Sequence, residues 1–592
     1  MKVVFFSPHS GIWVHGFPEA LVADSLKKLG HDIHYITCDR IFNNYCITMS
    51  AFGIQPDSSD EKKKEICDTC NRRRDFTLNS FHFASSNIGK YIDENEISKV
   101  KKLSSEILFS RLTDYTEDGV EVGKSSVYEL LLKFKKSSFD FNENQTSYIQ
   151  NSFMSSLISK RASDKWIENL RPDAVIIYNT NYAVNRSVAL NCIQRKIPVY
   201  SIHAGDIISD RLSRLMIAQD NLLKNCYDIK SSFTKNQKEG LFKLKSIKEY
   251  LDHQKMLLSG KHFLVYSSGV DSSKKTIREF FGINHKQKIL VATMSSYDEM
   301  FAAIACGLVR FNNTAIFQSQ IEWLKELINF IESREDYFLI IRVHPREFPN
   351  KRESYSSNHG VEVKNALEKL PKNCRLNIPE DNTSLYSLAL EANLILNAWS
   401  SAGEEMALFG IPVLLYDSEM TLYPHEINFL AKTKTDYFEK IISLSDKKIS
   451  KKEILESLKW ISFRLNYTTF SLEESYSEKP ISERKISFFQ KLKLRFLNWK
   501  NRNKQYSEEE LDFRLKSDRL NVSIFLETLI KNKKENLFQI EEFKKSFKDD
   551  NETEVLNYYL RNFYELLTES FSSDIFQNSL LKKRWDILLS KE

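Results

Sequence analysis

Along this chain, short runs of consecutive apolar residues alternate with longer stretches in which apolar residues recur every three or four positions. The first pattern fits a parallel strand buried on both faces, the second an amphipathic helix. Residues 3–6 (VVFF) form such a run, followed by a turn-rich loop over 7–16. A helix then carries Ala20, Leu21, Leu26 and Leu29, with Gly30 placed as its C-cap. Residues 31–37 (HDIHYIT) continue as a strand, so the chain opens as an α/β sheet. From about 43 to 163 the rhythm breaks into a polar, Ser-, Lys- and Asn-rich stretch that reads as an insertion.

The rhythm resumes with DAVIIY at 173–178, a helix through Val188 and Ile193, and PVYSI at 198–202. A helical stretch over about 212–255 closes this first half. The second half repeats the logic, with strands at 288–293, 338–343, 394–397 and 412–416 and helices at 321–331 and from Ala402 to Gly410. The division expected is an α/β domain over 1–262, a second over 263–435, and an α-helical C-terminal region over 436–592, with no strands after about Tyr423. Two such α/β halves enclose a cleft, and open sheets bind ligands beyond the carboxyl ends of their strands.

Composition narrows the picture a little. At 592 residues the chain exceeds one ordinary core, and 42% hydrophobic with 28% charged residues is a globular balance. A formal charge of +6 is small for this length, so no nucleic-acid partner is expected. The apolar start breaks at Pro8, too early for a signal segment, and no run reaches the roughly 20 apolar residues of a spanning helix. A cytoplasmic protein is the expectation. Four of the eight cysteines fall early, at Cys38, Cys46, Cys67 and Cys70, next to Arg72, Arg73 and Arg74. Four thiolates suffice for a structural zinc, and ordinary reduced thiols are the other reading.

Two blocks in the second half carry candidate chemistry. In Arg342-Val-His344-Pro345-Arg346, the proline fixes the strand exit and places an imidazole between two guanidiniums, a combination suited to a diphosphate. In Ser400-Ser401-Ala-Gly403-Glu404-Glu405, two hydroxyls precede a helix start whose N–H groups favour an anion, with Glu404 or Glu405 placed to accept from sugar hydroxyls. In the first half, His203, with Gly205 and Asp206, ends a strand, while His15, with Glu19 beyond it, lies just after the first strand. Either pair offers a base for removing a hydroxyl proton.

The span from about 290 to 423 resembles the donor-binding half of GT-B glycosyltransferases that build bacterial capsule and lipopolysaccharide. It is most similar to those with a His-Pro and a following Ser-Ser motif: Kdo transferases, sialyltransferases and CDP-glycerol glycerophosphotransferases. The resemblance implies a GT-B fold of two Rossmann-like domains and a phosphate held by His344, Pro345, Ser400 and Ser401. It extends by analogy to Ser295 and Ser296, in a loop that such enzymes turn towards the donor. It also implies inverting transfer from a nucleotide-activated sugar, with CMP-Kdo or another CMP-linked acidic sugar first. UDP-sugars and CDP-glycerol come behind, and a nucleotide-sugar epimerase or a non-enzymatic scaffold of polysaccharide assembly are the alternatives. His203 is similar to the Trp-His-Gly element of the glycerophosphotransferases, although Ile202 replaces the Trp and Ala204 is inserted before the Gly. His15 stands where other GT-B enzymes place a histidine base. No Asp-x-Asp pair ends a strand, so no cofactor is required for transfer. The acceptor implied is a glycan or lipid-linked glycan. Residues 484–504 interleave basic and aromatic residues, fitting either contact with the inner face of the cytoplasmic membrane or docking on the protein's own body.

Overall fold

The computed structural model describes residues 1–592 except 210, 212–213, 236–241, 263–264, 266–267, 271–274, 313, 351–354, 473–521, 546–547 and 591–592. Its apolar runs assemble into two sheets. The first contains β1 (Lys2–Ser7), β2 (Asp32–Thr37), β3 (Ala84–Asn87), β4 (Ala174–Tyr178), β5 (Val199–Ala204), β6 (Arg214–Gln219) and, from far along the chain, β13 (Thr469–Ser471). The second contains β7 (Lys288–Thr293), β8 (Tyr337–Arg342), β9 (Cys374–Asn377), β10 (Ala392–Asn397), β11 (Val413–Leu415) and β12 (Phe429–Leu430).

The second sheet is parallel throughout and ordered β12-β11-β10-β7-β8-β9; the first is ordered β13-β6-β5-β4-β1-β2-β3. In each, the earliest strand lies in the middle and the order reverses beside it, between β7 and β10 and between β1 and β4. These are topological switch points, where crossovers leave to opposite faces and open a crevice at the carboxyl ends. Two Rossmann-like halves of this kind make the GT-B architecture expected from the sequence.

The strands read as apolar runs because both faces are covered. Along β1, Val3 and Phe5 enter one core while Val4 and Phe6 enter another, the alternation of a pleated strand. The insertion supplies the second of these layers. Its helix Thr146–Leu170 packs on the helix Ala183–Gln194 over the first sheet. It also supplies β3, paired in parallel with β2, which its polar sequence (ASSN) did not announce.

Two expectations change. The stretch 212–255 is not helical throughout: β6 runs antiparallel to β5, with Ile202 opposite Ile217, before the helices Leu222–Lys235 and Leu244–Ser259 begin. The residues RLMIAQ tolerate a helix, but pairing with β5 buries Leu215 and Ile217, so tertiary context overrides propensity. Strands also do not stop after Tyr423, since β12 lies beyond it and β13 pairs antiparallel with β6. The described C-terminal helices are built into the body. Trp460, Phe563 and Trp585 share one buried cluster with Phe5 of the first sheet and Val291 of the second.

Candidate active site

The switch point of the second sheet brings three strand exits together. Met294 leaves β7, His344 leaves β8 and Ser400 leaves β10, with β7 lying between the other two. They line a cavity of about 220 Å³ with Arg342, Pro345, Ser401, Tyr386 and Glu405; Ile208, from the loop after β5, and Leu257 also reach it from the first half. The His-Pro and Ser-Ser motifs therefore share one cavity, and that cavity lies in the cleft between the halves.

His344 caps the short turn Pro345–Glu347, its Nδ1 accepting the Arg346 backbone N–H at 3.3 Å. Burial, and more weakly the neighbouring guanidiniums, lower its pKa to about 4. The ring is thus neutral at pH 7, and with Nδ1 occupied as acceptor its proton sits on Nε2, ready to donate to an anion. The flanking arginines part company. Arg342 stays in the cavity wall, its Nη1 donating to Asn377 Oδ1 at 2.6 Å and the Thr383 carbonyl at 2.7 Å. Arg346 turns away, pairing with Asp298 at 2.9 Å and donating to the Leu132 carbonyl in the first half. It bridges the halves and does not line the cavity.

Ser400 Oγ accepts the Ala402 N–H at 3.3 Å, leaving its own O–H to donate, and Ser401 Oγ donates to Glu405 at 3.0 Å. The amides of Gly403, Glu404 and Glu405 already bond to the carbonyls of Ser400 and Ser401. What this turn offers the cavity is hydroxyls rather than the open helix N-terminus expected. Gly403 is required by packing: a Cβ there would collide with the Tyr423 hydroxyl and stand 2.7 Å from Asn397 Nδ2. Ser295 and Ser296 hold loops. Ser295 Oγ accepts the Trp399 N–H at 3.1 Å, and Ser296 Oγ donates to Asp298 at 2.6 Å. The carboxylate in the cavity is Glu405, which accepts from Tyr386 at 2.7 Å. Glu404 points the other way, accepting from Trp460 Nε1 at 2.6 Å and Arg464 at 2.9 Å.

The first half resolves its two candidate strand ends into one cluster. The His15 ring stacks on Tyr178 at 4.2 Å, and the His15 and His203 rings are 6.3 Å apart. Burial lowers His15 to about 3, with His203, His9 and Arg211 adding to it; burial and then Arg211 lower His203 to about 4. Both imidazoles are therefore neutral and can accept a proton, and an arriving anion would raise their pKa. Neither acidic companion stands as a free carboxylate. Asp206 pairs with Arg464 at 2.5 Å, and Glu19 is 1% exposed, its carboxyl pushed by burial up to about 8 and so protonated at neutral pH. Arg464, which holds Asp206 of the first half and Glu404 of the second, gave no sequence signal because it lies in the C-terminal helix Lys451–Thr468. Arg211 and His9 were also passed over; His9 was open to detection, since it follows β1 as His344 follows β8.

Cys38, Cys46, Cys67 and Cys70 do converge, lining a cavity of about 20 Å³. Burial pushes Cys38 up to about 11 and Cys46 to about 12. Among the described residues, no three His, Cys, Asp or Glu side chains are placed to hold a metal ion. No described helix is long and apolar enough to cross a membrane, and the basic-aromatic segment 484–504 lies outside the described residues.

No family model and no curated protein matches this chain. Solved structures with a similar fold include the Staphylococcus aureus MnaA–UDP co-structure, 14% identical over 78% of this chain and 91% of that one, at a TM-score of 0.24. UDP-GlcNAc 2-epimerase from Neisseria meningitidis bound to UDP-GlcNAc is 12% identical over 78% and 97%, at 0.23. The spinosyn rhamnosyltransferase SpnG complexed with thymidine diphosphate is 11% identical over 78% and 96%, also at 0.23. Likeness at this level has no bearing on what the present chain binds.

Proposed function

We propose that this protein is a glycosyltransferase that holds a nucleotide-activated sugar in the β7–β8–β10 cavity and passes the sugar to an acceptor hydroxyl beside His15 and His203. The observation that carries this reading is the convergence of His344, Arg342, Ser400 and Ser401 on one cleft cavity at a switch point. A donor-capable imidazole, a buried cation and hydroxyls suit a phosphate that gains charge as its bond to the sugar breaks.

The step is a single displacement with inversion. The acceptor oxygen forms the new bond to the anomeric carbon while its proton passes to a neutral imidazole, His15 or His203. The bond from the anomeric carbon to the phosphate oxygen breaks, and its electron pair leaves with the nucleotide. His344 Nε2–H, Arg342 and the Ser400 hydroxyl stabilise the departing phosphate. The His-Pro and Ser-Ser resemblance favours a CMP-linked acidic sugar such as Kdo, and a surface glycan or lipid-linked glycan acceptor at the inner face of the membrane.

A thermal-shift panel of CMP, CDP, UDP and GDP tests the reading, since a ligand of the native state raises the midpoint. The expected result is a rise with at least one nucleotide that disappears in His344→Ala. No response to any of the four would overturn it. Incubating the matching nucleotide-sugar without acceptor separates transfer from epimerisation, because an epimerase converts the donor alone.

A further inference from the structure

The other switch point, between β1 and β4, has a cavity of its own behind His9, about 50 Å³ in volume. Its walls come from elements far apart in sequence. His9 lies in the loop after β1, Tyr45 and Ser50 frame the helix Ile47–Ala51, Glu129 and Lys133 lie on the helix Tyr128–Lys133, and Ser155 lies on Thr146–Leu170. Ile47, Leu130 and Val184 make part of this wall apolar, and set among them are polar groups without partners. His9 is 8% exposed, yet neither ring nitrogen has a hydrogen-bond partner; the Ser155 hydroxyl, in a residue 3% exposed, has none either. The Tyr45 hydroxyl stands near Ser50 without completing a bond of full geometry. Buried polar groups are ordinarily paired, and leaving them bare costs free energy, so several in one cavity point to a polar occupant.

The chemistry of the wall selects the occupant. Lys133 is the one cation of the lining and sits 5.2 Å over the Tyr148 ring, and the same lining carries the Glu129 carboxyl, a mixture that suits a phosphate or carboxylate poorly. The unpaired histidine, tyrosine and serine, set among Ile47, Leu130 and Val184, match a ligand that carries hydroxyls on an apolar frame. A neutral imidazole, two hydroxyls, a carboxyl and an ammonium can together donate to and accept from alcohols. At roughly 10–15 Å³ per water, the volume holds three to five waters, or the hydroxymethyl or diol edge of a sugar. Position fits as well. The His9 ring meets Tyr182 edge-on at 6.1 Å, and Tyr182 lies 6.4 Å from His15, so one aromatic ring separates the cavity from the candidate base.

We propose that the His9 cavity is a carbohydrate subsite, which binds the hydroxylated edge of the acceptor sugar through His9, Tyr45 and Ser155 and so sets the hydroxyl presented to His15. This rests on the transferase reading for its role but not for its chemistry. The test uses the full chain and three probes: the methyl α-glycosides of glucose, galactose and mannose, each followed by saturation-transfer NMR. At least one is expected to bind the wild type. Tyr45→Phe and Ser155→Ala should each weaken that binding three- to tenfold. Each variant should also melt at or above the wild-type temperature when free, since each removes a polar atom that lacks a partner. A contact serving structure alone would lower the melting temperature instead. Nucleotide-induced thermal shifts are expected to be unchanged in both variants. If no glycoside binds, or if one binds equally to the wild type and both variants, the cavity holds ordered water only and the proposal fails. Loss of the nucleotide response in the wild type with glycoside binding intact would sink the transferase reading and leave the subsite standing.

Discussion

The two switch points share a topology and differ in how far their polar groups are already engaged. At β7–β10, a guanidinium, a hydroxyl and a neutral imidazole are already placed by protein contacts: Arg342 by Asn377 and Thr383, Ser401 by Glu405, and His344 by the Arg346 amide. At β1–β4, the histidines are neutral and His9 has no partner. The first arrangement is preorganised for charge, whose stabilisation depends on dipoles that need not reorient. The second keeps uncharged groups ready to receive a proton and neutral hydroxyls. One fold used twice carries two different sets of side chains, because the residues just beyond the strand ends differ while the topology does not.

The sharpest way to break this comparison is to remove the imidazoles of the first half. His15→Ala and His203→Ala should differ, the true base losing about 10²- to 10⁴-fold in turnover and its neighbour much less. Neither should alter the thermal shift given by nucleotide. Equal small losses would remove both from the base role. Next in size is Arg464→Met, which leaves the buried Glu404 and the half-buried Asp206 without their cation. Urea unfolding should show a loss of about 3 kcal/mol, the lower end for a broken buried pair, since only Glu404 is fully buried. A neutral result would mean that Arg464 does not tie the halves together.

His344→Ala should cost about 10²- to 10³-fold in kcat/KM through lost stabilisation of the leaving phosphate, and His344→Gln, which keeps an N–H donor, should recover part of it. The smallest effect is on pH. His9 falls from 6.5 to about 3 through burial, so the folded state resists its protonation. Its contribution to stability is complete above pH 6.5 and is lost as pH falls towards 3, at about 1.4 kcal/mol per pH unit. Glu19 runs oppositely, its raised carboxyl contributing fully below pH 4.5 and losing that contribution as pH rises to about 8. Melting temperatures should therefore peak between these limits, and His9→Gln should flatten the acid side. An unchanged acid slope in that variant would show that His9 is not held neutral by the fold.

Much of the fold was legible because buried parallel strands are apolar on both faces. VVFF, DAVIIY, KILVAT, FLIIR and NLILN all became strands. β3, β6 and β13 escaped because short edge or antiparallel strands take their stability from the neighbour they join. ASSN and TFS carry no apolar run, and the short LMIA run of RLMIAQ fits a buried helix segment as well as a strand. Within the candidate site, His344, Ser400 and Ser401 were readable as strand-exit residues, and the structure puts them in one cavity. Glu404 and Asp206 looked equally available, but a guanidinium 258 residues from Asp206 engages both.

What the sequence determined by itself is local. Runs of apolar residues fix where strands lie, and Pro345 and Gly403 fix how the chain leaves or approaches them. That information lies within a few bonds of each residue, so it can be read from neighbours along the chain. The tertiary structure decided which of those exits meet, that His15 and His203 belong to one cluster, and which carboxylates are consumed by Arg464. It also created the cavity behind His9. These depend on side chains from strands and helices tens to hundreds of residues apart, and only their packing decides which polar groups find a partner and which are left to bind something else.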